Sequence, residues 1–226
     1  MEDGKGFEKT LLGFSKADRI EWTKRVVNTL HPVLAVPSDI LAQMAKAIAK
    51  GDLIGFLDLQ LYNYHEEVVV NGYLIMRVKD LEVRSKYLES YFDHVDCWAT
   101  CDILKPKLSE KDKDGQFLKI LEYAKDSRPF VRRIALVLLF AYVGDDERYQ
   151  NIYPIVDELG KDDHYYVKMC AAWLLCELFI KRRSSTLDYL EINALPSFTV
   201  NKAIQKCRDS YRVSREDKDF LLKFKK

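Results

Sequence analysis

Asp126-Ser-Arg-Pro-Phe130-Val131-Arg132-Arg133-Ile134-Ala135-Leu-Val-Leu138-Leu139 lies over Asp162-Asp-His-Tyr-Tyr166-Val167-Lys168-Met169-Cys170-Ala171-Ala-Trp173-Leu174-Leu175 at an offset of 36 residues. Aromatic, valine, base, alanine and leucine pair fall in register. A fainter copy places Val95 and Ala99 one period upstream. Apolar residues inside each copy recur at helical spacing, and each copy leaves room for a second helix before the next begins. Ala135 and Ala171 are small enough to let neighbouring helices approach closely.

The helical period continues outward in both directions. Helices are expected at 16–30, 38–50, 52–61, 81–91, 95–104, 115–124, 129–142, 149–159, 165–182, 197–211 and 214–224. The segment 66–76 contains Val68, Val69 and Val70 and could pass alone for a strand; its neighbours argue for helix. Loops of two to eight residues imply hairpins stacked in chain order. The fold expected is all-α, an α-α superhelix of stacked HEAT-like helical hairpins, although such repeats usually run to about 40–47 residues. A single domain over 1–226 is expected, with 1–14 as a looser N-terminal extension. One set of helices would line a groove, which is first of all a binding surface.

The chain has 226 residues, 36 Lys+Arg against 35 Asp+Glu, and 48% hydrophobic residues. That balance is globular and excludes a uniformly basic nucleic-acid binder, but not a basic face. The charge is uneven. Residues 1–127 hold 18 basic against 21 acidic side chains, and residues 128–226 hold 18 against 14. Lys168, Lys202 and Lys206, in the basic part, are candidate phosphate contacts.

The cysteines Cys97, Cys101, Cys170, Cys176 and Cys207 are odd in number and lie in helix-like segments; no apolar leader begins at Met1. A reducing cytoplasm is the expectation. Cys97, Cys101 and His94 lack a second ligand pair at finger-like spacing, so no metal is expected. No run of apolar residues is long enough to span a membrane.

There is no glycine-rich phosphate loop and no Gly-x-Ser-x-Gly elbow. Trp98-Ala-Thr-Cys-Asp102 sets an indole and a carboxylate at i, i+4 on one helix face. An aspartate on an apolar face is costly unless paired or working. It could bridge to a neighbouring helix, Arg133 being one partner. Arg133, inside a helix start, could grip phosphate or lie along the core. Trp173, beside Ala171 and Ala172, could enter a groove or fill the core.

Taken in order, Trp98-x3-Asp102, Phe130-Val-x-Arg133-x-Ala135 and Tyr166-Val-x5-Trp173-Leu resemble the DNA alkylation repair family of HEAT-like-repeat DNA glycosylases. Tyr64-His-Glu66-Glu67 ahead of Gly72 is similar to that family's acidic helix start. Asn201–Lys206 through Tyr211–Ser214 is similar to its C-terminal signature. The resemblance runs from about Pro37 to the end. It implies that Asp102 is the catalytic carboxylate. It makes Trp98 and Trp173 an aromatic pair against the lesion-bearing deoxyribose, and Arg133 the holder of the backbone beside it. Ala42 stands where the family often has an arginine, so one phosphate contact is missing.

The implied activity is hydrolysis of the N-glycosidic bond of cationic N-alkylated purines, of the 3-methyladenine and 7-methylguanine kind, in duplex DNA. It would be carried out by a monomer with no cofactor. The chemistry is coherent, because a cationic base leaves neutral without an acid and one carboxylate then suffices. An open groove offers no deep pocket for an everted base, so the lesion would be read from the backbone side. The other reading is a non-catalytic HEAT-like scaffold binding DNA or a protein through the same groove.

Overall fold

In a computed structural model, residues 4–226 are described. They form fourteen α-helices joined by short 3-10 turns, with no strand among the described residues. The fold is all-α, as expected. The chain divides into two compact units, one through Gly115 and one from Gln116.

The first unit opens with α1 (Gly4–Phe14), where a loose extension was expected. Phe7 and Leu11, at i, i+4, are 1% and 0% exposed, and Phe7 meets the Phe56 ring edge-on at 4.9 Å. Burial of that pair holds residues 4–14 down; residues 1–3 lie outside the described residues. The helix expected at 16–30 is a 3-10 turn and then α2 (Ile20–Val27). It stops at Asn28, whose left-handed backbone (φ 56°) ends a helix as asparagine can. There follow α3 (Ser38–Ile48), α4 (Leu53–Leu57), α5 (His65–Ile75), α6 (Leu81–Phe92) and α7 (Trp98–Asp102). Then comes α8 (Glu110–Tyr123), within which the unit boundary falls.

Helix α5 is the centre of this unit and packs against α3, α4, α6 and α7. The valine run is helical because its start is capped. Glu67 Oε2 accepts the amides of Asn63 and Tyr64 at 2.6 and 3.2 Å, in a capping box. Glu66, 1% exposed, accepts the amide of Leu34 at 3.0 Å and that of Val36 at 3.4 Å. Between them Ala35 has φ 57°, which turns successive amides toward one carboxylate. Burial pushes the Glu66 carboxyl up, opposed by those amides.

The second unit has α9 (Pro129–Leu139), α10 (Ile152–Leu159), α11 (Tyr165–Lys181), α12 (Arg183–Ile192), α13 (Ser197–Asp209) and α14 (Arg215–Phe220). The 36-residue repeat has a structural counterpart. Asp126 Oδ1 accepts the Arg128 amide at 2.8 Å, and Asp162 Oδ1 accepts the His164 amide at 2.8 Å, just before α9 and α11 begin. Ala135 and Ala171 are fully buried. Helices α9, α11 and α13 pack side by side in order, each followed by its shorter partner, which is consistent with a superhelix of stacked hairpins. The partners meet too: the Tyr153 and Tyr189 rings, 36 residues apart, stack at 4.7 Å. Helix α12 was not expected. Arg182 breaks the helical backbone (φ −133°, ψ 49°), and a new helix starts at once, burying Thr186, Tyr189 and Leu190.

His65, at the head of α5, gives a test of this core. Burial lowers its pKa to about 4, against the pull of Asp96 and with the help of His31. A depressed folded-state value contributes stability that is present above the unfolded value and lost as pH falls through about 4. Denaturant titrations of wild type and His65→Gln between pH 7 and pH 4 should therefore converge, wild type losing about 3 kcal/mol more than the variant. Parallel pH profiles would refute it. The comparison is needed because Glu66 and Glu67, both raised by burial, act in the opposite sense in both proteins.

A candidate nucleic-acid site around Asp102

The helix that carries Trp98 and Asp102 has only five residues, where ten were expected. Cys97 before it is extended (φ −147°), and Pro106 after it disfavours helix at Lys105. A helix this short does not hold itself. Tertiary bonds place it instead. The Thr100 carbonyl accepts from the buried Tyr91 hydroxyl at 2.9 Å. The Trp98 Nε1–H donates to the Val26 carbonyl at 3.2 Å. Just upstream, the Asp96 carboxylate accepts from the Thr29 hydroxyl at 2.7 Å and the Leu30 amide at 2.5 Å. His31 Nε2 donates to the His94 carbonyl at 2.9 Å. The turn after α2 thus braces the start of α7.

Gly72 sets how near α7 comes to α5. A Cβ there would lie 2.7 Å from both Ile103 Cδ1 and the Tyr91 hydroxyl. An added methyl would force one or both of these side-chain ends to shift.

Trp98 and Asp102 come together on α7, both half-buried. Asp102 lines an open cavity of about 570 Å³ with Tyr73, Met76, Val78 and Ile103, and with the exposed Arg77, Lys79, Lys105 and Lys107. Four cations and one carboxylate therefore share one surface over an apolar floor. These four were not among the expected phosphate contacts, which all fell in the second half of the chain. Their sequence signal is the repeated basic-x-basic just after α5 (Arg77-Val-Lys79) and after α7 (Lys105-Pro-Lys107).

The other expected residues lie in the second unit. Arg133 is 5% exposed and donates through Nη1 to the Tyr166 carbonyl of α11, so it ties one repeat to the next. Its neighbour Arg132 grips Asp162 with Nε and Nη2 at 2.6 and 3.2 Å. Trp173 is half-buried, its ring 4.4 Å from that of Phe140 and tilted by 52°. Lys168 Nζ stands 5.4 Å over the Phe198 ring. Lys202 lines a second cavity, of about 360 Å³, with Phe198, Asn201, Arg208 and Lys225. Lys206 is in the last turn of α13.

All five cysteines are buried thiols that form no disulfide. Cys97 Sγ is 4.0 Å from His65 Nδ1, and the Cys101 thiol donates to the Cys97 carbonyl. No group of three His, Cys, Asp or Glu placed to hold a metal ion occurs among the described residues. No helix among them is long and apolar enough to cross a membrane.

A family model described as DNA alkylation repair enzyme matches residues 7–207. The match begins inside α1, upstream of Pro37, and stops before Tyr211. No individual curated protein matches the chain.

The packing over Gly72 yields a stability test. Gly72→Ala should cost about 1–3 kcal/mol by overpacking, read from urea unfolding. Adding Ile103→Val, which removes the Cδ1 in the way, should recover part of that loss. A neutral Gly72→Ala would show that α7 does not depend on this contact.

Proposed function

The chain belongs to the DNA alkylation repair enzyme family, and from that premise we propose that it is a DNA glycosylase for cationic N-alkylated purines in duplex DNA. The observation that carries the reading is the setting of Asp102. It is the one carboxylate among the residues lining a cation-rich cavity, one helical turn from Trp98.

The chemistry follows from the charge on the lesion. A purine alkylated at N3 or N7 carries a positive charge before any enzyme acts. When the C1′–N9 bond breaks, its electron pair neutralises the base, which leaves without a proton donor. The sugar is left as an oxocarbenium-like cation. A carboxylate beside it stabilises that cation, orients water toward C1′ and takes the proton that water gives up. Trp98 offers an indole to the same charge, worth about 0.5–2 kcal/mol. Arg77, Lys79, Lys105 and Lys107 line the same cavity and would hold flanking phosphates, fixing the strand with a sugar at Asp102. The scheme needs no metal, because there is no poor leaving group to activate. It gives no means of removing a neutral base, and selectivity for cationic lesions follows. Trp173 and Arg133, in the second unit, keep in this proposal the DNA contacts that the family resemblance implies for them. Since Arg133 is buried, replacing it would disturb the fold as well as binding.

Release of labelled base from methylated duplex DNA tests the reading directly. Asp102→Asn should lower the rate on the order of 100-fold or more while leaving affinity for the same duplex unchanged. Equal, background-level release from both proteins would leave a non-catalytic DNA-binding scaffold. The cations give a separate readout. Lys105→Ala and Lys107→Ala should each reduce the slope of log affinity against log salt by about 1, whatever the DNA sequence.

A further inference from the structure

Trp22 has no part in the core. It is 54% exposed on α2, a helix that buries only Val27. Val26 and Leu30 continue its ridge, 43% and 90% exposed. A long apolar edge left in water is a cost that folding does not explain. The ridge is nevertheless held firmly. Lys16 donates its amide to the Leu34 carbonyl at 3.1 Å, the Ser15 hydroxyl reaches the same carbonyl at 2.7 Å, and Asp96 fixes Leu30.

Trp22 borders a cavity of about 540 Å³ whose walls include Val26, Ala35 and Pro37 and whose rim carries Lys16 and Arg19. Asp18 is the one acid there, 4.0 Å from Arg19. Another wall is the stretch Ala35–Ser38, which Glu66 pins through the amides of Leu34 and Val36. Val26, which lines the cavity, is tied to the helix of Asp102, because its carbonyl is the acceptor for Trp98. An exposed indole that lines a roomy open cavity together with two cations is the chemistry that takes a nucleobase face on the ring and its phosphates on the basic side chains.

We propose that Trp22 is a stacking platform for an unpaired nucleotide of the bound DNA, distinct from the lesion nucleotide at Asp102. The proposal rests on the DNA reading of Asp102. Base loss or a damaged pair leaves bases without partners, and a platform beside the reacting strand would favour DNA in that state over an intact duplex.

The test uses the full chain and two labelled duplexes of one sequence, one fully paired and one with a single unpaired nucleotide, with binding followed by fluorescence anisotropy. Wild type should prefer the second. Trp22→Ala should lose that preference, by a factor within the roughly 5- to 150-fold that base–aromatic stacking supplies, while its affinity for the paired duplex stays as in wild type. Trp22→Phe should keep most of the preference. The substitution is at an exposed helix position, and unchanged thermal unfolding would show that it leaves the fold intact. Wild-type indifference to the unpaired nucleotide, Trp22→Ala equal to wild type on both duplexes, or equal weakening on both, would each overturn the platform and leave the Asp102 reading standing. Wild type that binds neither duplex would overturn both.

Discussion

Everything in the first unit depends on a helix that is almost wholly out of water. Ten of the eleven residues of α5 are buried, including Glu66, Glu67 and Asn71. Polar groups in such a place must be bonded, or each costs on the order of 1–3 kcal/mol. Both carboxylates and the Asn71 amide nitrogen bond to a backbone that would otherwise be loose, while the Asn71 Oδ1 is left without a partner. Glu66 gathers residues 34–36, Glu67 the turn at 63–64, and Asn71 the Leu61 carbonyl. The helix core therefore also orders the connections between its neighbours. The cavity beside Trp22 and the approach of α7 to Gly72 are both consequences of that arrangement.

The repeat was legible because burial repeats with it. Val131 and Val167, Ala135 and Ala171, Leu138 and Leu174 are all fully buried, and each pair is one period apart. Local capping was harder to read than periodicity. Whether 66–76 is strand or helix is decided by Glu67 reaching back to the Asn63 and Tyr64 amides, a bond that composition does not display. The Lys181-Arg-Arg-Ser-Ser185 run looks like a loop, yet a single non-helical residue at Arg182 divides two helices there. Phe7 and Leu11 have helical spacing but needed a partner ring, Phe56, that sequence alone does not place.

The candidate site divides in the same way. Trp98 and Asp102 are four residues apart, so any helix puts them on one face, and sequence suffices. The four cations around Asp102 come from the ends of two different helices. Averaged over residues 1–127, with 18 basic and 21 acidic side chains, they vanish into an acidic half. Net charge is a sum over the surface, whereas a phosphate responds to charges within about a Debye length, roughly 8–10 Å. The basic second half drew the expectation toward Lys168, Lys202 and Lys206, while a dense local cluster stood in the acidic half.

The length of α7 matters to the chemistry proposed for it. Stabilising a sugar cation by one carboxylate works only if that carboxylate is fixed before the bond breaks, since reorientation at that moment would return much of the gain. Five residues cannot supply such rigidity through helix formation. The bonds to Val26, Tyr91 and, through Asp96, to Thr29 and Leu30 supply it, from segments up to 72 residues away in the chain. Because a short helix lacks following turns, it also ends where Asp102 is, with Lys105 and Lys107 outside any helix beyond it. The interruption that made this segment hard to foresee is the same feature that leaves Asp102 facing a basic opening.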